Sequence, residues 1–296
     1  MVLALLFFVS LVNDVRGLIA RHDFAGAELA VRTHRGQTGA DPELAAALSW
    51  LARGALDGKR LDQAERYAAE TRTLALDLLR TRKLDGDRWL PTALGASIEV
   101  HAQALAARGE RAEAIAFLRA QIELYGATSL VERIRKNMNL LTLEGKPAPR
   151  LEDDDWLGSK PASLAALRGH PVLLFFWAHW CPDCKAEAPV LAALRNTYGP
   201  KGLVLVGPTR LYGYAAGGEG AAPAAEKQYI DQVRRRYYAA LADMPVPLSA
   251  ANFVSYGAST TPTLILIDAA GVVRLYHPGA ASESELSRRI QAILGE

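Results

Sequence analysis

Two kinds of hydrophobic patterning divide the chain. From Asn13 to about Leu143 the sequence is rich in Ala, Leu, Arg and Glu and has few β-branched runs, which predicts helix throughout. Beyond Glu144-Gly-Lys-Pro-Ala-Pro149, where two prolines in three residues stop helix and stiffen the chain, the pattern changes. Pro171-Val-Leu-Leu-Phe-Phe-Trp177 is a continuous apolar run behind Gly169, as expected of a strand buried on both faces. An apolar helical stretch follows through Leu194. A second helix is predicted over 226–241, and a last one from Ser282, which forms a capping box with Glu285.

The first twelve residues are apolar on every face and match the length of the apolar core of a secretory signal, ~7–15 residues. No Lys or Arg precedes that core and no small-x-small site follows it. An export signal or anchor remnant and a buried first helix therefore both stand as readings of residues 1–12.

Within 13–143 three segments resemble one another: Asp23-Phe-Ala-Gly-Ala-Glu28, Arg60-Leu-Asp-Gln-Ala-Glu65 and Gly109-Glu-Arg-Ala-Glu-Ala114. Each is expected where one helix turns into the next. Aligning Ala27, Ala64 and Ala114 gives gaps of 37 and 50 residues, against about 34 for a tetratricopeptide repeat. Leu48, Leu51, Ala52 and Ala55 precede Ala64 and Ala68, and Ile98, Ala102 and Leu105 precede Ala114 and Leu118, in one register. The region resembles a degenerate tetratricopeptide-like array with extra length near 84–91. Such arrays bind protein partners or pack on neighbouring domains, and a plain helical spacer is the alternative. Trp50 and Trp89 are read as core or helix-seam residues.

A length of 296 residues fits two domains, and 50% hydrophobic residues suffice for real cores. The formal net charge of +2 gives no basis for a nucleic-acid partner or a polybasic membrane patch. No apolar run reaches the ~20 residues of a membrane-spanning helix.

The chemistry concentrates in two cysteines, Cys181 and Cys184, separated by Pro182 and Asp183. A bridge across so short a loop offers little entropic stabilisation, and a structural zinc site would need two more ligands. What remains is a redox-active or metal-handling pair. Following a strand and opening a helix, Cys181 would meet the unpaired N–H groups and positive dipole end that stabilise a thiolate. Pro182 suits the first helical turn, where its missing N–H costs nothing. Cys184, one turn further in, would resolve a mixed disulfide.

Here the chain resembles the thioredoxin superfamily, and within it the TlpA/ResA-like thiol–disulfide oxidoreductases. Phe176-Trp-Ala-His-Trp-Cys-Pro-Asp-Cys184 fits the family's Phe-Trp-Ala-x-Trp-Cys-x-x-Cys, and Pro189 falls where the active-site helix carries a kinking proline. Leu164-Ala-Ala-Leu-Arg-Gly-His-Pro171 fits the approach to the first core strand. Ser259-Thr-Thr-Pro-Thr-Leu-Ile-Leu-Ile-Asp268, followed by Ala-Ala-Gly271, fits the proline strand and hairpin. The resemblance covers about 145–296. It implies an α/β thioredoxin fold, a central mixed sheet flanked by helices, after the all-α domain. The domains are then 13–143, helical, and 144–296, thioredoxin-like.

The resemblance also implies roles. Cys181 attacks and Cys184 resolves. Thr261 and Pro262, joined by a cis peptide bond, present backbone to the substrate. Trp180 shields the dithiol. Glu187, three residues after Cys184 and so on the same helix face, assists proton transfer if it is buried; a solvated residue paired with Lys185 or Arg195 is the alternative. The implied enzyme is a thiol–disulfide oxidoreductase acting on protein disulfides. It is expected to be an extracytoplasmic, periplasmic reductant, as in cytochrome c maturation. It would take its electrons from another dithiol protein and need no organic cofactor.

The sequence departs from relatives in several places. Thioredoxins proper place a buried Asp where Phe175 stands, which shifts interest onto Glu187. Peroxiredoxins use a Thr where Ala178 stands, which argues against peroxidase chemistry. Asp183 should disfavour a neighbouring thiolate and so favour a reductant. His179 is read as exposed loop, although with the two cysteines it could serve Cu(I), making a metallochaperone one alternative function and a partner-binding scaffold another. His277 is expected after the last strand. Gly207-Pro-Thr-Arg-Leu-Tyr-Gly-Tyr214 and the glycines up to Gly220 lack the Lys-Ser/Thr ending of a phosphate loop. Tyr212 and Tyr214 make this segment either a lid over the cysteines or a floppy connection. Asp153-Asp154-Asp155 is read as a solvated turn, and Arg234-Arg-Arg236 as a solvated basic face.

Overall fold

The computed structural model describes residues 10–295. Residues 1–9, and with them most of the expected signal, anchor or first-helix segment, lie outside the described residues. Leu11 and Val12, which belong to that segment, are buried at the start of the first helix. Among the described residues, no helix is long and apolar enough to cross a membrane. The chain divides into two compact units, Met1–Asn137 and Met138–Glu296.

The first unit is helical: α1 (Leu11–Ala20), α2 (Phe24–Thr38), α3 (Pro42–Asp57), α4 (Leu61–Leu78), α5 (Leu90–Ala107) and α6 (Arg111–Tyr125), with α7 (Val131–Thr142) running across the division. α1 pairs with α2, α3 with α4 and α5 with α6, and α3 packs against both α1 and α5. Side chains tie α7 to α5: Gln103 Nε2 donates to Asn137 Oδ1 at 2.8 Å, and Glu99 accepts from Arg133 at 2.8 Å and Lys136 at 2.9 Å.

The three similar sequence segments do mark turns between paired helices. At each, one residue takes a left-handed conformation: His22 (φ 61°), Lys59 (φ 57°) and Gly109 (φ 86°). At each, the next N–H closes the preceding helix, from Asp23 to Leu18 O, Arg60 to Ala55 O and Glu110 to Leu105 O, at 2.8–2.9 Å. This is the Schellman geometry of helix C-termini. Ala27, Ala64 and Ala114 sit just beyond and are fully buried. The extra length lies between α4 and α5 and holds only a short 3-10 turn, Leu84–Gly86.

In the second unit a four-stranded sheet has the order β3-β2-β5-β6, with β2 (Val172–Phe176), β3 (Val204–Val206), β5 (Thr263–Ile267) and β6 (Val273–Pro278). β2 runs parallel to β3 and antiparallel to β5, in the register Val172↔Ile267 to Phe176↔Thr263. β1 (Trp156–Leu157) and β4 (Val246–Pro247) pair separately. Four helices complete the unit: α8 (Pro182–Tyr198), α9 (Pro223–Tyr237), α10 (Ala250–Tyr256) and α11 (Glu283–Leu294).

The continuous apolar run of β2 has the explanation its pattern implies. Leu173 and Phe175 join one core with Leu191 and Leu194 of α8 and Leu286 and Ile290 of α11. Val172, Leu174 and Phe176 join a second core with Phe253 and Tyr256 of α10. Both sheet faces are covered, so no position in the strand needs to be polar.

Several local expectations change. The proline-containing segment after Glu144 is docked on the sheet edge: Gly145 N donates to Val273 O, Val273 N to Lys146 O and Ala148 N to Gly271 O, at 2.8–3.0 Å. Pro147 and Pro149 cannot donate, and an edge tolerates that. β6 extends to Pro278, so His277 lies inside the strand. Helix α9 begins earlier than expected, at Pro223, and ends at Tyr237, followed by a 3-10 turn over Ala239–Leu241. Arg234 is not part of a solvated face. It is 8% exposed, pairs with Asp231 at 2.8 Å and donates to Ala242 O at 3.3 Å.

Candidate active site

The β2 strand delivers the chain to Trp177, and its continuation is fastened to a neighbouring connection. Trp177 N donates to Pro208 O at 3.2 Å, Trp177 Nε1 to Gly207 O at 2.9 Å, and Thr209 Oγ1 to Trp177 O at 2.8 Å. A Cβ at Gly207 would stand 2.7 Å from Met244 Cε, so a larger residue there would displace the end of the Met244 side chain. Trp177 and Ala178 are fully buried, so the reactive loop leaves a rigid base.

Cys181 is the N-cap of α8, with extended backbone (φ −74°, ψ 114°), and Pro182 occupies the first helical position. Cys184 N donates to Cys181 Sγ at 3.1 Å. A sulfur thus stands where Ser, Asp or Asn usually caps a helix, and the orphan N–H and the helix dipole both favour negative charge on it. Cys181 and Cys184 form a disulfide, with Cα atoms 5.3 Å apart. Cys181 Sγ also lies 3.3 Å from the carbonyl oxygen of Thr261, and Thr261–Pro262 is a cis peptide bond. The fold brings these four residues together from two segments 80 positions apart in sequence.

Glu187 is 4% exposed, and its Oε1 accepts from Ala281 N at 3.3 Å. Burial pushes its carboxyl up, partly opposed by that N–H and by His277. It is neither solvated nor ion-paired with Lys185 or Arg195; the latter pairs with Asp243. Trp180 is 46% exposed beside Cys181, and Asp183 is exposed in the first turn of α8. Phe175 packs edge-on against Tyr238, centroids 5.8 Å apart.

His179 corrects the sequence reading. It is 1% exposed and lies among Tyr212, Tyr214 and Tyr229, with centroids 5.6, 5.3 and 5.5 Å away. The segment carrying Tyr212 is anchored, since Tyr212 N and Gly213 N donate to the buried carboxylate of Glu226 at 2.5 and 2.8 Å. In the sequence, Tyr212 and Tyr214 stand out as a candidate lid over the cysteines. Nothing in it singled out Glu226, whose partners are backbone groups 13 and 14 residues earlier. Among the described residues, no group of three or more His, Cys, Asp or Glu side chains is arranged to hold a metal ion.

Comparison with known proteins agrees with this geometry. The AhpC/TSA family model matches residues 145–209. The thiol:disulfide interchange protein DsbE of Xylella fastidiosa (strain Temecula1) is 31% identical over 159 residues, covering 52% of this chain and 71% of that protein. DsbE of Pseudomonas fluorescens biotype C is 32% identical over 156 residues, with 51% and 78% covered. The thiol-disulfide oxidoreductase ResA of Bacillus anthracis is 27% identical over 151 residues, with 50% and 78% covered. Among solved structures, a putative DsbE from Chlorobium tepidum is 25% identical, covers 51% of this chain and 98% of its own, and superposes with a TM-score of 0.41.

The sheet topology and a disulfide-forming pair at the head of α8 define a thiol–disulfide oxidoreductase of thioredoxin fold. Within that class, the chain belongs to the thioredoxin-like family that contains DsbE and ResA. About half of this chain lies outside each of these alignments.

Proposed function

We propose that the chain reduces disulfides in polypeptides outside the cytoplasm, with the thioredoxin-like domain over 144–296 carrying the reaction and the tetratricopeptide-like domain over 13–143 binding a protein partner. One observation carries this most: Cys181 Sγ accepts the Cys184 N–H at the helix head while lying 3.3 Å from the Thr261 carbonyl, which supports a sulfur activated beside backbone that can align a substrate.

In the reduced protein the Cys181 thiolate attacks one sulfur of the substrate disulfide. A mixed disulfide forms, and the departing substrate thiolate takes up a proton. Glu187 receives the proton of the Cys184 thiol, and the resulting thiolate attacks Cys181 Sγ. The second substrate sulfur leaves as a thiolate and is protonated, and the Cys181–Cys184 disulfide remains. Two electrons have passed to the substrate, and another dithiol protein restores them. Thr261 and Pro262 align the substrate backbone, and Trp180 limits access of water to the pair.

The direction follows from Asp183, whose charge in the first turn of α8 opposes a Cys181 thiolate. A dithiol whose thiolate form gains less stabilisation is the better reductant. The apolar character of residues 1–12 supports export, with attachment to the membrane as one use of that segment.

Equilibration against glutathione with thiol counting tests the direction. The expected potential lies well below the glutathione poise of about −220 to −260 mV, and a value near the roughly −120 mV of strong periplasmic oxidants would overturn it. Cys184→Ser should accumulate a mixed disulfide between Cys181 and reduced-and-reoxidised insulin, seen by mass spectrometry. No adduct would mean that Cys181 is not the attacking group.

A further inference from the structure

A buried imidazole gives up its hydration and normally recovers it through hydrogen bonds. His179 recovers it only weakly: it is 1% exposed, neither ring nitrogen makes a hydrogen bond of good geometry, and its polar contact is with the backbone of Tyr214. Desolvation lowers its pKa against the opposing pull of Glu226, so the neutral ring is favoured. Ring packing holds it as well, against Tyr212, Tyr214 and Tyr229.

Two of those tyrosines belong to the connection between β3 and α9. Its near end is fastened to Trp177 through Pro208 and Thr209, and further along the Glu226 carboxylate holds the backbone of Tyr212 and Gly213. Tyr212 meets His179 and also meets Trp180, edge-on at 5.6 Å. Trp180 is the residue immediately before Cys181 and the most exposed aromatic side chain of this unit. A polypeptide approaching Cys181 Sγ thus encounters Trp180 already braced by a ring that His179 supports.

We propose that His179 is a positioning residue for substrate recognition: its buried ring holds Tyr212 against Trp180, so that a disulfide-bearing polypeptide with an apolar side chain next to its cysteine meets a preformed aromatic wall beside Cys181. The proposal rests on the reading of the chain as a reductase of polypeptide disulfides. Without the His179 ring, the Tyr212 side chain loses the support that holds it against Trp180 and has to be ordered again each time substrate binds. That cost falls on binding and leaves the exchange between sulfurs unaltered.

The test uses the intact chain, with insulin as the polypeptide disulfide and dithiothreitol as electron source. His179→Ala should raise KM for insulin about fivefold, the worth of one lost edge-to-face contact. The same variant should keep kcat within about twofold and leave the potential of the couple unmoved. His179→Phe, which keeps an aromatic ring, should restore KM. Tyr212→Ala should reproduce the rise, and the double variant should be no worse than either single one. An unchanged KM in a folded His179→Ala, a shifted potential, no rescue by His179→Phe, or additive effects in the double variant would each overturn the proposal. If His179→Ala does not fold by circular dichroism, Tyr212→Ala decides, since an unchanged KM there removes the wall's role. Failure of the unsubstituted chain to reduce insulin would overturn the reductase reading beneath it.

Discussion

At position 187 a carboxyl group is held among buried side chains with one backbone N–H as its hydrogen-bond partner. Its pKa is raised above the ordinary 4.5 by burial, so folding makes the carboxyl easier to protonate than it is in the unfolded chain. The associated stability is full below the ordinary value and is lost as pH rises through the higher folded one. Glu187→Gln keeps the shape and removes the charge. At pH 8 this variant should melt above the wild type, and the gain should disappear below about pH 4, as followed by thermal circular dichroism. The same variant should slow reduction of insulin by about a hundredfold at pH 7, the lower end of what a positioned proton acceptor supplies. A variant that gains stability at pH 8 yet keeps full activity would leave Glu187 a burial defect with no part in the chemistry. The His179 cage belongs to this scale too. One ring's surroundings decide whether a loop of unremarkable sequence lies ordered beside the dithiol.

Among the elements, the turns between paired helices in the first unit show how one geometry tolerates three different residues. Each turn needs a residue in the left-handed region, which glycine enters freely and other L-residues enter at a cost of about 1–2 kcal/mol. Gly109 meets the requirement, while His22 and Lys59 carry a side chain there. Lys59→Gly should therefore stabilise the helical unit by about 0.5–1 kcal/mol, and Gly109→Ala should cost about 1 kcal/mol. Urea midpoints measured at constant slope distinguish these signs. Helix α8 is the element that carries function, because its first turn places a cysteine at the cap and its second face places Glu187 inward. Its N-terminus works as a site only because β2 holds Trp177 and Ala178 fully buried just upstream.

For the molecule as a whole, one buried carboxyl in each unit should respond to acid in opposite senses, Glu99 in the first and Glu187 in the second. In the first unit burial pushes the Glu99 carboxyl up, but Arg133 and Lys136 more than offset this and hold it at about 2. A carboxyl with a depressed pKa contributes stability above its unfolded value of 4.5, and that contribution is lost as pH falls toward about 2. Glu187 in the second unit contributes in the opposite sense. Hydrogen exchange resolved by segment should show α5 and α7 losing protection between pH 4.5 and 2.5, before α8 and β2. Glu99→Gln should abolish this pH dependence while lowering protection at pH 7, because it leaves Arg133 and Lys136 half-buried without their counter-charge.

Much of this was legible in the amino-acid order. The β2 run, the Cys181-x-x-Cys184 motif on a strand-to-helix junction, the Thr261-Pro262 pair and the similar turn segments are local patterns, and local patterns are set by steric preference and side-chain periodicity. The pairing of Glu187 with Cys184 on one helix face follows from spacing alone. Tertiary structure decided what spacing cannot carry. It buried Glu187 against Ala281, 94 residues away, closed Thr261 onto Cys181 across 80 residues, and turned Arg234 inward onto Asp231 and the Ala242 carbonyl. It laid the segment after Glu144 on the sheet edge beside Val273 and enclosed His179 in tyrosines from two other segments. Burial, and hence hydration, charge state and the partners a polar group finds, is a property of packed surfaces that meet only when the chain is folded.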